Sequence, residues 1–144
     1  MTAIEEAIRK LNEYLRGEMA AVETYDQALE KLRESSNRWE LEQCKQSHER
    51  RVLALRRRIE EVGGQPSESS GAWGAFSRLF EGGARAFGEK AAISALEEGE
   101  DHGLKLYRDV RELDATAREF VETDLLPAQE ATHRALSTLK HSLH

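Results

Sequence analysis

The feature that most constrains this chain is an apolar stripe of helical period that opens it and carries one charge. Ile4, Ile8, Leu11 and Leu15 are followed by Val22, Tyr25, Leu29 and Leu32, in alternating steps of four and three. That spacing lays the apolar side chains along one face of a long helix. Between Leu15 and Val22 the pattern reserves position 18 for a core residue, and the sequence places Glu18 there. A carboxylate buried alone costs several kcal/mol, so Glu18 must be paired, protonated or bound to something.

The same arrangement occurs a second time. Arg16-Gly17-Glu18 precedes Tyr25 as Glu98-Gly99-Glu100 precedes Tyr107, with Leu11 and Ile93 upstream and Val22 and Leu104 downstream at matching distances. Each copy is followed by a histidine, His48 after the first and His133 after the second. The pattern predicts a duplicated helix pair, each half placing one carboxylate and one imidazole on its inner face.

Between the repeats, Glu34-Ser35-Ser36-Asn37 breaks the first helix, and Asn37 with Glu40 can cap the second. The second stripe runs Leu41, Lys45, His48, Val52, Leu55, Ile59, Val62 and stops at Gly63-Gly64-Gln65-Pro66. A Gly/Ser-rich crossover over 63–83 holds an apolar island of Trp73, Phe76, Leu79 and Phe80, predicted as a short helix over the bundle's side or end. The island's alternative role is a surface for a protein partner through Trp73, Phe76 and Phe80. A third helix is expected from about Ala84, with Ile93, Glu97, Glu100, Leu104 and Tyr107 inward. Asp114 or Thr116 caps the fourth, which carries Phe120, Leu126, Glu130, His133 and Leu136 inward and is kinked by Pro127. The expected organisation is one domain over 1–144, with helices at 2–34, 37–62, 84–113 and 115–141.

Composition agrees with an all-α fold: 39% hydrophobic, 33% charged and only two prolines. A net charge of −6 supplies no basic field for nucleic acid. Cys44 is the sole cysteine, which excludes an internal disulfide and a zinc–thiolate site and reads as a buried inert thiol. The N-terminus lacks a secretory pattern, and no window reaches the roughly 18 apolar residues of a membrane span, so a cytoplasmic protein is expected. The run Arg56-Arg57-Arg58 reads as a solvated helix face. No glycine-rich phosphate loop or nucleophile elbow is present.

Four helices thus carry polar breaks: Glu18; Lys45 with His48; Glu97 with Glu100; Glu130 with His133. Residues three apart share a helix face, so Glu130 and His133 can address one centre. With short, long and short connections, the chain resembles the ferritin-like superfamily, and within it a family of small bacterial four-helix bundles with Gly-Glu…Tyr repeats. The resemblance spans about residues 4 to 140 apart from the central crossover, and implies a ferritin-like four-helix bundle, two antiparallel helix pairs joined by a long crossover containing a short helix, with a carboxylate–histidine metal site at mid-bundle. Glu18 and Glu100 match the single glutamates, Glu130 and His133 a Glu-x-x-His, and His48 the second histidine. Lys45 stands where the other glutamate belongs. Three outcomes stay open: Glu97 replaces the missing carboxylate; one metal sits among Glu100, Glu130 and His133 while Lys45 pairs with Glu18; or the site is vestigial and salt-bridged. Tyr25 and Tyr107 are expected as core tyrosines that hydrogen-bond to the site. The implied cofactor is iron, as one or two ions, or manganese, and the implied role is iron handling or oxidative stress, with ferroxidase or peroxidase chemistry if the chain is an enzyme. The alternative is a metal-free, stress-associated structural or interaction bundle. A monomer or homodimer is expected.

Overall fold

The structure, a computed structural model, describes residues 2–71 and 79–143, with 79–87 as backbone alone. It is all-helical, with no strand among the described residues. Helix α1 spans Ala3–Lys31, α2 Arg38–Glu61 and α3 Leu79–Arg108; α4, Ala115–Phe120, runs through a π-helical turn, Val121–Leu125, into α5, Leu126–Ser142, making a composite fourth rod. Trp73 and Phe76 lie outside the described residues. Phe80 falls in the stretch described as backbone.

Local chemistry accounts for the helix ends. Thr2 caps α1, its hydroxyl accepting from the Glu5 amide at 3.1 Å. Asn37 precedes α2 without a side-chain cap; its own amide donates to the Ser35 hydroxyl at 3.0 Å, so the expected Asn37–Glu40 capping box is replaced by a turn. After α2, Gly63 adopts φ 87° and the Gly64 amide reaches back to the Ile59 carbonyl at 2.8 Å, a left-handed stop that favours glycine. Gly64 has a second reason to be glycine: a Cβ there would stand 2.8 Å from the Ile8 side chain. Asp114, one of the two expected caps, accepts from the Ala117 amide at 2.8 Å. Helical backbone of α3 begins at Leu79, earlier than the expected Ala84, and Gly88, at φ 80° and ψ −160°, divides it.

The composite rod shows how Pro127 is accommodated. Proline has no amide to donate one turn back, and its ring crowds that carbonyl. The wide π turn lies immediately upstream, where the Leu126 amide bonds to the Val121 carbonyl.

The core falls into two apolar clusters at opposite ends of the bundle. One gathers Leu11, Leu15, Leu55, Ile59, Phe120 and Leu125; the other Leu29, Leu41, Ile93, Leu96, Leu136 and Leu139. Helices α1 and α5 run from the first cluster to the second, whereas α2 and α3 run the opposite way. Helix α1 packs chiefly on α2, and α3 on α5. The connection from α2 to α3 must therefore return along the bundle. It does so beside α1: Asn12 donates to the Gln65 carbonyl and accepts from the Ser67 amide, and Ser70 donates to Glu23. Arg58 stacks over the Phe120 ring at 4.7 Å, so one member of the arginine run closes the core edge instead of being fully solvated.

Candidate functional site

Between the two apolar clusters lies a layer of buried polar groups. Glu18, His48, Arg51, Glu100, Gln129 and Thr132 are each less than 5% exposed. Helix α1 delivers Glu18 and α3 delivers Glu100 from equivalent places in the repeat. Helix α2 contributes His48 and Arg51 from consecutive turns, and α5 contributes Gln129 and Thr132 with the same three-residue spacing.

His48 stands between the carboxylates. Its Nδ1 is 2.5 Å from Glu18 Oε1 and its Nε2 is 2.6 Å from Glu100 Oε2. Carboxylate oxygens only accept, so both ring nitrogens must donate, and the ring is an imidazolium. Glu18 also accepts from Arg51 Nη1 at 3.3 Å and from the Tyr107 hydroxyl. Glu100 accepts from the Tyr25 hydroxyl at 2.6 Å, from Thr132 Oγ1 at 2.6 Å and from Gln129 Nε2 at 2.9 Å. Arg51 is held by the Gln129 side-chain oxygen and, at 3.1 Å each, by the Ser47 and Thr132 hydroxyls.

Each tyrosine crosses to the carboxylate of the other repeat: Tyr25 of α1 serves Glu100 of α3, and Tyr107 of α3 serves Glu18 of α1. The layer is therefore a two-fold arrangement with unlike partners. Position for position, His48 and Arg51 in one half correspond to Gln129 and Thr132 in the other.

Electrostatics follow from this geometry. Burial works against the His48 cation, but the Glu100 and Glu18 charges outweigh it and hold its pKa above the ordinary value of 6.5. Burial likewise opposes ionised Glu18 and Glu100. Arg51 and His48 nonetheless keep Glu18 below the usual range, and His48, Thr132 and Tyr25 bring Glu100 down to about 2. Two carboxylates thus face two cations, and the buried layer is neutral as a set. Tyr25 and Tyr107 are pushed well above 10 by burial and by their carboxylates, so both remain donors. Cys44 is buried and free, its thiol raised to about 12 by burial and by Glu100.

Of the residues expected from the sequence, Glu18, His48, Glu100, Tyr25 and Tyr107 meet here. Four others lie elsewhere. Lys45 pairs with Asp26 at 2.5 Å at the edge of α1 and α2. Glu97 accepts from Ser137 at 2.9 Å and Lys140 at 3.1 Å, outside the layer. The Glu130 side chain is 40% exposed and faces Arg108 at 3.8 Å, while His133 Nε2 is 3.2 Å from Asp101. The inward placement expected for Glu130 and His133 is thus corrected by one residue. Leu125 and Leu126 are adjacent and both apolar, and from the last residue of the π turn onward the core takes Leu125, Gln129, Thr132, Leu136 and Leu139.

Sequence reasoning passed over Arg51, Gln129 and Thr132. The available signal was the stripe Leu41, Cys44, His48, Arg51, Leu55, which keeps steps of three and four as well as the one through Lys45 and Val52.

These residues do not fit the two-metal set that the sequence resemblance implies. That set needs two Glu-x-x-His pairs besides the single glutamates. Here the equivalent positions hold Arg51, Gln129 and Thr132, none a ready metal ligand, and both nitrogens of the lone imidazole are committed to carboxylates. Among the described residues, no group of three or more His, Cys, Asp or Glu is arranged to hold a metal ion. No helix among them is long and apolar enough to cross a membrane.

No curated protein and no solved structure matches the chain. A family model does match, over residues 6–113, a stretch that carries Glu18, Tyr25, His48, Arg51, Glu100 and Tyr107 and ends before Gln129 and Thr132. The chain belongs to this family, described as a domain of unknown function (DUF2383).

Proposed function

We propose that this chain is a metal-free bundle of ferritin-like architecture, a structural or protein-interaction module whose mid-core ion network fixes the pairing of its helices. The observation that carries the reading is His48, bonded through both ring nitrogens to Glu18 and Glu100. With Arg51 beside Glu18, the cluster already contains the positive charge that metal ions would supply. Buried ionic groups of this kind contribute less to net stability than to a single register, because any slip leaves a charge unpaired.

The competing reading is an iron- or manganese-binding protein in iron handling or oxidative stress, a ferroxidase or peroxidase if an enzyme. In its favour, Glu18, His48 and Glu100 do meet at mid-bundle. It requires His48 to give up at least one carboxylate and Arg51 to leave Glu18. Metal analysis of protein purified without a histidine tag, before and after anaerobic loading with ferrous iron, separates the two. The metal-free reading expects no stoichiometric metal and a melting temperature unchanged by chelator. Iron or manganese at one or two ions per chain would overturn it.

A further inference from the structure

Three large apolar side chains are well exposed among the described residues: Ile4 at the start of α1, and Trp39 and Leu53 on α2, at 68% and 65%. Trp39 and Leu53 stand two heptads apart with Gln46 midway, so the three fall on one line along the helix. That line is the middle of the face α2 turns away from the bundle, opposite Leu41, His48, Leu55 and Ile59.

Single exposed apolar residues are ordinary. The charges beside this line supply a second observation. Glu42 and Glu49 lie on one flank, Gln43 and Arg50 on the other, with Arg57 and Glu60 further along. Glu42 is held by Arg38 at 3.4 Å. Glu49, Arg50, Arg57 and Glu60 are exposed, and among the described residues none of the four makes an ion pair. The face thus carries two free carboxylates and two free guanidinium groups.

We infer that the outer face of α2 is the surface on which two copies of this chain pair, helix to helix and in parallel about a two-fold axis. Parallel pairing sets each residue of the line beside its own counterpart: Trp39 against Trp39, Leu53 against Leu53, and the Gln46 amides across the axis, where an amide can both donate and accept. It also joins opposite flanks. Glu49 of each copy then meets Arg50 of the other, and Arg57 comes within reach of Glu60, so the four free charges are matched twice over. Antiparallel pairing centred on Gln46 would join like flanks and set Glu42 against Glu49. Because the face carries its own counter-charges, the partner it fits is a second copy and not a strongly acidic or basic chain. One helix against one helix buries less than the roughly 800 Å² per partner of a stable complex, so the dimer is reversible, with a dissociation constant on the order of 0.1 mM. The inference rests on the interaction-module reading and names its partner.

Sedimentation equilibrium of the full chain up to about 1 mM tests it. Chelator is present throughout, so a failure here and a failure of the metal-free reading are separate results. The expected result is a monomer–dimer equilibrium that Trp39→Ser weakens at least about tenfold, because a central aromatic anchor is lost. Glu49→Arg and Arg50→Glu should each weaken it about tenfold by setting like charges together, while an equimolar mixture of the two variants should associate at least as well as wild type. All three changes lie on the solvent face, and circular dichroism checks that the helices are kept. A chain that stays monomeric at about 1 mM would overturn the proposal. So would a dimer that Glu49→Arg leaves unchanged or strengthens, the latter being the signature of the antiparallel arrangement.

Discussion

His48→Gln isolates the charge that bridges the two halves. Glutamine keeps one amide donor for a carboxylate but cannot serve Glu18 and Glu100 together, and it carries no charge. The layer would change from two carboxylates against two cations to two against one. Removing one partner from a buried pair costs about 3–5 kcal/mol, and that is the loss expected near pH 6. The pH dependence is more diagnostic than the size. The folded pKa of His48 is raised, so its contribution is fully present below the unfolded value near 6.5 and declines as pH rises toward the folded value. Between those two values the unfolded state holds fewer protons than the folded one, and wild-type stability should fall by up to about 1.4 kcal/mol per pH unit. Glu18 and Glu100 have depressed values, so their contribution is complete above about 4.5 and lost as pH falls, toward about 2 for Glu100. Urea denaturation followed by circular dichroism from pH 4 to 9.5, on wild type and variant, measures both limbs. The wild-type advantage should be largest between about 4.5 and 6.5 and shrink on the alkaline side. It should also shrink on the acid side, where the variant's uncompensated carboxylate takes up a proton. A difference that stays constant from pH 6 to 9 would show that folded His48 is neutral, and the account of the network would be wrong.

Other perturbations probe the same layer. Arg51→Met alone should cost about 3–5 kcal/mol, but combined with Glu18→Gln it should cost less than the sum of the single changes, since the pair then leaves together; additive losses in a denaturation cycle would contradict their coupling. Gly103→Ala places a Cβ 2.7 Å from Gln129 Nε2, so the amide that serves Glu100 must move, and a loss of about 1–3 kcal/mol in thermal or urea melts is expected. Lys45→Glu breaks only a partly exposed pair with Asp26, so less than about 1 kcal/mol should be lost and iron uptake on anaerobic loading should be unchanged; increased uptake would place Lys45 back at the centre.

Glu18 was legible because it interrupts an otherwise unbroken apolar heptad, where a charge needs a partner whatever the fold, and Glu100 because it repeats the same Gly-Glu…Tyr spacing. The tyrosines one heptad on were legible for the same reason. What the heptad cannot resolve is the choice between neighbouring residues at the edge of its buried face. Cys44 or Lys45, Arg51 or Val52, and Leu125 or Leu126 each satisfy the period nearly equally. Apolarity favours Val52 over Arg51, yet the structure buries Arg51 below Glu18, because compensating that carboxylate outweighs the gain from one more aliphatic side chain. That compensation is a tertiary property. It depends on which helix faces α1, and the spacing of α2 alone does not contain it. Glu130 and His133 lie outside the layer for a related reason: a π turn and a proline upstream decide which residues of α5 face inward.

The broken symmetry of the layer also constrains how the helix hairpins pair. The first hairpin, α1 with α2, brings one carboxylate and two cations. The second, α3 with the composite rod, brings one carboxylate, an amide and a hydroxyl. Two copies of the second would bury Glu100 twice with no cation. Two copies of the first would bury four cations against two carboxylates. Either outcome leaves charge unpaired in a low-dielectric core at a cost of several kcal/mol. Only unlike hairpins balance, and each tyrosine then reaches the carboxylate of the other half. A duplicated sequence whose halves had stayed identical would have lacked this preference. The replacement of His48 and Arg51 by Gln129 and Thr132 at matching positions is what makes the two halves complementary to each other and not to themselves.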